Sequence, residues 1–324
     1  MRAIAIQKFG GPENLVIKEI PDPEPKPGHV VIQVKAFGIN HAEMHMRRGE
    51  WAEAAEVSGI ECVGLVKSCP SGEFAVGTKV AALMGGLGRT INGSYAEYTR
   101  APATNVAQIE SDLPWEELAA IPESYATAWT CLFRNLELAE GQTLVIRGAM
   151  SSFGQAALNM AVNAGAHVVA TARNQDRFQK LEALGARRVE IERPDLSERI
   201  AERKRIDAVL DLVGNSTILD SLAMLRRGGR ACLAGFLGGL DPVPDFNPLL
   251  QMSSGVHFSF FGSFVFGRPG FPLSDVPLQT IADQVAAGRY KAKPARVFRF
   301  EDIREAHRVM DSNQAGGKMV VLGT

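Results

Sequence analysis

Apolar and polar positions alternate in short segments through the first 110 residues. The segments are Ala3 to Gln7, Val30 to Lys35, Cys62 to Lys67, Lys79 to Leu83 and Tyr95 to Thr99. Turn-forming clusters separate them: Gly10-Gly11-Pro12, Pro25-Lys26-Pro27-Gly28 and Asn92-Gly93. A period of two bounded by such residues predicts a β-rich region. From Leu113 to about Leu138 the pattern becomes helical. From Thr143 strands and helices alternate. Strands are predicted at 143–146, 167–171, 187–191, 206–213 and 229–234, with helices at 152–164, 175–184, 195–203 and 216–225. Gly141, Gly165, Gly185 and Gly228-Gly229 stand where helix ends should fall. Alternation of this length implies a parallel, doubly wound sheet in an α/β protein. Val256 to Gly262 reads as its last strand. Helices near 275–287 and 301–311 return to the first region, so two domains are expected: 1–122 with 265–324, and 123–264.

The junction between the predicted strand at 143–146 and the helix at 152 carries the first chemistry. Gly148-x-x-Ser151-x-x-Gly154 is a variant of the dinucleotide fingerprint with serine in the middle. Small residues let the backbone approach a pyrophosphate, and the free N–H groups of the helix start point at the anion. By itself the spacing is equally that of an ordinary tight turn. The next predicted strand, His167 to Thr171, completes a β-α-β unit. At its tip a dinucleotide site for NAD has an acid that bonds the ribose 2′-hydroxyl, about 20 residues past the glycine turn. This chain has Arg173 there, then Asn174 and Arg177. A guanidinium matches a 2′-phosphate that a carboxylate would repel, so these residues favour NADPH. The plainer reading is two solvated charges at the start of a surface helix. Gly214, and Gly235 with Phe236, follow strands at the same end, where glycine permits close approach and equally forms turns.

Composition narrows the field further. The chain has 324 residues, enough for two cores, with 35 basic against 36 acidic residues and no like-charge block. No nucleic-acid or membrane-surface partner is implied. The four cysteines, Cys62, Cys69, Cys131 and Cys232, are scattered and form no Cys-x-x-Cys pair. A reduced, cytoplasmic protein without a disulfide framework is expected. No signal-peptide pattern and no long apolar run is visible.

Several segments, in order, resemble the medium-chain dehydrogenase/reductase superfamily and within it the zinc-independent quinone oxidoreductase (zeta-crystallin-like) branch. They are Gly38-Ile39-Asn40 with Arg47-x-Gly49, Gly59-x-Glu61-x-x-Gly64, Gly77-x-x-Val80 and Gly93-Ser94-Tyr95-Ala96-Glu97-Tyr98. Ala126-Thr127-Ala128-Trp129, the Arg147–Gly154 turn and Gly316-Gly317-Lys318 follow. The resemblance implies a GroES-like β-rich catalytic domain, a Rossmann domain inserted after it, and a cleft between them. It also implies NADPH-dependent reduction of quinones or other activated carbonyl compounds, commonly by a homodimer. The chain departs from the family's pattern. Ser151 and Ser152 replace phosphate-loop glycines, where a hydroxyl could still bond a phosphate oxygen. Glu43 replaces an aspartate, and His45 and Trp51 occupy positions where tyrosine is frequent.

The chemistry expected is hydride transfer from the cofactor to a quinone or enone acceptor, whose oxygen then gains negative charge. His45 is the candidate donor to that oxygen, since histidine titrates near neutrality, although solvent could supply the proton instead. Asn40 either bonds the nicotinamide or the acceptor, or is a turn residue. His41 and Trp51 line the substrate pocket, Trp51 by stacking on a flat acceptor or as core. Cofactor contacts are expected from Thr127, Gly148, Ser151, Ser152, Phe153, Gly154, Arg173, Arg177, Gly214, Gly235, Phe236 and Lys318; Thr127 and Lys318 rest on the resemblance. Arg147 could meet a phosphate or pair with an acid. Phe258, Phe260, Phe261, Phe264 and Phe266 suit a core strand or a dimer edge, or less simply the wall of an acceptor site. No metal is expected, because Ile60 stands where zinc enzymes of the superfamily have a histidine ligand. His41 and His45, four apart on one helix face, could still join Glu61 or Cys62 in a three-ligand set. The alternatives are an enoyl or acrylyl double-bond reductase, a zinc-type alcohol dehydrogenase, and a non-catalytic NADPH-binding protein.

Overall fold

A computed structural model describes residues 1–324. They form two compact units, Met1–Ala126 with Ser263–Thr324, and Thr127–Gly262. No helix is long and apolar enough to cross a membrane. The chain folds as an α/β protein, with a β-rich GroES-like unit and a parallel-sheet Rossmann-like unit.

In the first unit, β1 (Arg2–Ile6) and β2 (Leu15–Glu19) pair antiparallel. A seven-stranded sheet is built from β3 (His29–Ile39), β4 (Glu61–Ser68), β5 (Lys79–Leu83), β6 (Tyr98–Pro102), β7 (Val106–Gln108), β14 (Arg296–Arg299) and β15 (Met319–Leu322). Val30, Ile32, Phe37, Val80, Ala82 and Val321 are fully buried in its core. Helices α1 (His41–Arg48), α2 (Trp115–Leu118), α9 (Leu278–Ala286) and α10 (Ile303–Asp311) complete the unit, together with the start of α3 (Pro122–Trp129). The helix predicted over 113–138 is broken. Beyond α3 it widens into a π-type turn, Thr130–Asn135. The short strands β2, β7, β14 and β15 were not predicted, since each has only three to five residues and little periodicity to read.

A buried chain of polar groups explains Arg47. Its guanidinium donates to both carboxylate oxygens of Asp311 at 2.7 Å and to Gly10 O at 2.6 Å. Its Nε donates to His307 Nδ1 at 3.2 Å. Burial pushes the His307 imidazole down to about 3, so it stays neutral and offers Nε2–H to the Tyr95 hydroxyl at 3.1 Å.

The second unit is a six-stranded, wholly parallel sheet in the order β10-β9-β8-β11-β12-β13. The strands are β8 (Thr143–Arg147), β9 (His167–Ala172), β10 (Arg188–Ile191), β11 (Ile206–Asp211), β12 (Leu225–Leu233) and β13 (His257–Phe260). Leu144, Val145 and Ile146 are fully buried, as a parallel strand covered on both faces requires. The connecting helices are α4 (Ser152–Asn163), α5 (Phe178–Ala183), α6 (Leu196–Arg199) and α7 (Ile218–Met224), followed by the single turn α8 (Pro248–Gln251). The helix predicted at 195–203 shrinks to α6, because Ile200 turns extended. The strand predicted at 206–213 stops at Asp211, whose carboxylate captures the N–H groups of Val213 and Gly214 at 3.0 and 2.9 Å. β13 is an open sheet edge, with Phe258 and Phe260 exposed. Phe264 is also exposed, whereas Phe261 and Phe266 are buried, so the five phenylalanines do not form one cluster.

Candidate functional site

In the first unit the site grows from the start of α1. Glu43, at the third helical position, reaches back to the Asn40 N–H at 2.7 Å, one arm of a capping box. Its other oxygen accepts the Ile60 N–H at 3.1 Å. Asn40 Nδ2 donates to Glu61 Oε1 at 2.8 Å, and Asn40 Oδ1 accepts from Lys318 Nζ at 2.7 Å. Lys318 also pairs with Glu61 Oε1, while Glu61 Oε2 takes the Glu123 N–H at the start of α3 at 2.8 Å. Both polar atoms of the Asn40 side chain are therefore engaged inside the protein. Asn40, expected either at a nicotinamide or acceptor or as a turn residue, here precedes α1 and bonds Glu61 and Lys318. Lys318, expected as a cofactor contact, here is the counter-ion of the buried Glu61 carboxylate.

Two carboxylates, Glu43 and Glu61, thus lie near one ammonium, which bonds Glu61. Desolvation pushes Glu43 up to about 7, opposed by the Ile60 N–H and reinforced by the Glu61 charge. The unfolded side chain ionises near 4.5. The folded state therefore binds this proton more tightly, so its stabilising effect is complete below about pH 4.5 and is lost as pH rises through about 7. His307, and His41, whose imidazole burial lowers to about 4, act in the opposite sense as pH falls below 6.5. Comparing Glu43→Gln with the parent isolates the carboxylate. From pH 5 to pH 8 the variant should gain about 2 kcal/mol relative to the parent in urea unfolding. A constant difference across that range would contradict the buried, protonated carboxyl.

At the other end of α1, Gly49 closes the helix in the left-handed region at φ 74°. A Cβ there would meet the Phe9 ring at 2.7 Å, so only glycine fits. The reversal bonds Glu50 N to His45 O at 3.0 Å. It also brings the Glu50 carboxylate onto His45 Nδ1. Trp51 stacks on the His45 ring, with centroids 5.4 Å apart and planes 13° apart. One face of Trp51 is thus given to His45. Among the described residues, no three His, Cys, Asp or Glu side chains converge on a metal position. Ile60 has no donor, Glu61 is already paired with Lys318, and burial pushes the Cys62 thiol far up. The possible set of His41, His45 and Glu61 or Cys62 is not assembled.

In the second unit, β8 delivers the chain to a turn at the carboxyl ends of the parallel strands. Gly148 (φ 75°) donates its N–H to Thr171 Oγ1 at 3.0 Å. A Cβ on Gly154 would lie 2.7 Å from Ala149 Cα, so the helix can approach the turn only as glycine. Ser151 caps α4. Its hydroxyl donates to Gly148 O and accepts the Gly154 N–H, both at 3.0 Å. That hydroxyl, the expected phosphate contact, is bonded within the turn. The helix-start N–H groups of Ser152 and Phe153 have no acceptor one turn back. Arg173 is exposed just past β9, and Arg177 is half-buried and 3.6 Å from Asp176. Burial and Arg177 together hold the Lys180 ammonium below its usual range. Gly214 (φ 110°) lies where a Cβ would meet Gly235 O at 2.9 Å. Phe236 packs near Phe260, with ring centroids 6.1 Å apart. Thr127 is buried in α3.

This turn lies beside the point where the strand order reverses, between β8 and β11, the place where doubly wound sheets bind ligands. Residues 26–111 match the family model described as alcohol dehydrogenase GroES-like domain, and residues 153–273 the model described as zinc-binding dehydrogenase. The chain belongs to the medium-chain dehydrogenase/reductase superfamily.

Within that superfamily it is quinone oxidoreductase-like. Human quinone oxidoreductase is 27% identical over 335 residues, covering 99% of this chain and 98% of that protein. A Burkholderia protein named 2-haloacrylate reductase is 26% identical over 99% of this chain and 98% of its own length. A mycobacterial protein solved in complex with NADPH superimposes with a TM-score of 0.86 at 25% identity, covering 99% of both chains. An NAD-dependent alcohol dehydrogenase superimposes with a TM-score of 0.83 at 28% identity over the whole of both chains.

Arg147, at the end of β8, is fully buried and meets acids instead of phosphate. It donates to Glu192 Oε1 at 3.0 Å, Asp220 Oδ2 at 2.7 Å, Arg193 O at 2.6 Å and Thr217 O at 3.3 Å. Glu192 Oε2 accepts the Thr171 hydroxyl at 2.5 Å. Asp211, pushed up by burial, accepts from Thr217 and from Ser221 (2.6 Å). The turn at Gly148 and the turn at Gly214 thus rest on one polar network. The sequence does not single out Glu50, Glu192 or Asp211, and offers Glu61 only within a motif and as a possible third metal ligand. Asp211 and Glu61 did carry a signal, an acid within an otherwise apolar run. Glu50 and Glu192 carried none.

Proposed function

We propose that this protein is an NADPH-dependent reductase that passes hydride to a quinone or similar activated carbonyl compound without metal. The observation carrying this reading is Arg173 at the tip of β9, beside a glycine-bounded turn that feeds α4. The turn fits a dinucleotide. Gly148 and Gly154 let the turn close tightly against its neighbours, the Ser152 and Phe153 N–H groups suit a pyrophosphate, and Arg173 with Arg177 suits a 2′-phosphate. When bound there, the cofactor supplies the hydride. Quinones and enones accept hydride without a Lewis acid, and Ile60, at the position where zinc enzymes of the superfamily have a histidine, offers no ligand atom. Similarity to quinone oxidoreductases over nearly the whole chain supports the acceptor class. A homodimer is part of the reading, with the open edge of β13 as its natural contact.

Arg173→Ala should cost about 1.5–3 kcal/mol of NADPH affinity, roughly tenfold to a hundredfold, and leave NADH affinity unchanged. Titration by fluorescence or calorimetry reads both, and equal losses would remove the 2′-phosphate assignment. Turnover is tested by following NADPH oxidation with benzoquinone, beside NADH and with and without a chelator. Chelator-insensitive turnover preferring NADPH is the expected result. The second reading, an enone reductase, is favoured by the similarity to 2-haloacrylate reductase. Faster turnover of an acrylate-type acceptor than of benzoquinone would select it.

A further inference from the structure

We propose that Glu50 is the positioning residue for His45, holding its imidazole in the tautomer that presents Nε2 to the acceptor oxygen. The inference rests on the reductase reading above and adds to it a residue that the resemblance does not supply. Three independent constraints converge on His45. The left-handed Gly49 turns the chain back, so that Glu50 N lies on His45 O at 3.0 Å. The Glu50 carboxylate accepts a hydrogen bond from Nδ1, which fixes the proton on that nitrogen. The Trp51 ring, 13° from parallel, restricts rotation about the side chain. His45 is largely buried and Glu50 more open, so the carboxylate reaches the ring from the solvent side.

The other groups around the pair sharpen the division of labour. Arg48 Nη1 lies 3.8 Å from Glu50 Oε1 and Arg48 Nη2 is 2.9 Å from Asp311 on α10, so each acid has a cationic neighbour. His41, on the same helix, is held neutral by burial and by the charges of His45 and Arg48; Lys318 adds in the same sense and Asp311 opposes. Glu43 is buried on the opposite side of the helix start, in the Asn40 cluster. Of the two histidines, His45 is the one seen hydrogen-bonded to a carboxylate. In the step proposed, the hydride and its electron pair reach the acceptor carbon and negative charge appears on the conjugated oxygen. The proton on Nε2 of the imidazolium moves to that oxygen, leaving the neutral Nδ1–H tautomer bonded to Glu50. Solvent then returns the proton. The nicotinamide cofactor is the reductant, and the acceptor gains one hydride and one proton.

The first test needs no turnover. Nitrogen NMR of histidine-labelled protein, with the six histidines assigned by substitution, should show His45 as the Nδ1–H tautomer, and Glu50→Ala should abolish that preference. An unchanged tautomer in Glu50→Ala would overturn the proposal. Kinetically, Glu50→Ala should lower kcat on an enone about tenfold, part of the 10²–10⁴-fold a positioned proton donor supplies, with KM for NADPH unchanged. The loss on benzoquinone should be smaller, because the hydroquinone anion is a weaker base than an enolate. Glu50→Asp should recover part of the rate. In a His45→Gln background Glu50→Ala should have no further effect, since it acts through the ring. A full loss in that background would also overturn the proposal. If the parent protein turns over neither acceptor, the reductase reading fails and proton delivery with it, while NMR still decides whether Glu50 holds the ring.

Discussion

Arg147→Met should destabilise the unit formed by residues 127–262 by about 3–5 kcal/mol, the cost of leaving buried acids without their cation. The side chain is fully buried, and Glu192 and Asp220 are nearly so. Methionine fills much of the volume but offers no donor to two carboxylates and to the carbonyls of Arg193 and Thr217. Urea unfolding at neutral pH measures the loss. Arg147→Lys should fall between the two, because an ammonium restores charge without the planar fork that reaches both acids. The damage should spread to ligand binding. Glu192 holds the Thr171 hydroxyl, which in turn accepts the Gly148 N–H, so loosening Glu192 frees the turn that α4 depends on. Weaker NADPH binding should therefore accompany the lost stability. A stability change under about 1 kcal/mol would mean that solvent reaches the acids and that the network is less buried than its geometry indicates.

Lys318→Met should produce a loss of similar size, about 3–5 kcal/mol, but one that depends on pH. Lys318 is the one ammonium against Glu61, and Glu43 lies in the same cluster with its carboxyl already pushed up to about 7. Without the ammonium, Glu61 is driven to bind a proton. The folded variant then holds protons more tightly than the unfolded chain, and its stability falls as pH rises. The deficit should be largest near pH 8 and shrink towards pH 5. Lys318→Met with Glu61→Gln should recover much of it, because a neutral amide needs no counter-ion. A deficit equal at both pH values would point to lost packing instead of an uncompensated charge.

The candidate site was legible where its chemistry is local. The Gly148–Gly154 turn follows an apolar run and precedes an alanine-rich helix, and Arg173 stands at a fixed distance beyond it. Both features are contiguous, and the structure has strand, turn and helix at the expected positions. Ser151 suits a ligand by its place in the turn, Asn40 suits either a ligand or a turn, and Lys318 is a ligand contact only through the resemblance. Each also satisfies a group of the protein, which its local sequence does not reveal: Glu61 for Asn40 and Lys318, and the turn's own backbone for Ser151. Glu50 escaped notice because nothing in His-Met-Arg-Arg-Gly-Glu announces that a left-handed glycine will fold the acid back onto the histidine.

By itself the sequence determined the order of the elements and the parallel sheet, since the periods of strand and helix and the glycines at their ends are properties of neighbouring residues. Only the tertiary structure decided which charges are buried together. Arg147 meets an acid 45 positions away, and Lys318 one 257 positions away. A strand's period marks which face is covered, but it does not say which distant side chain will lie across from it. A charge buried without its partner costs more than most local preferences can offset, and that partner comes from the topology.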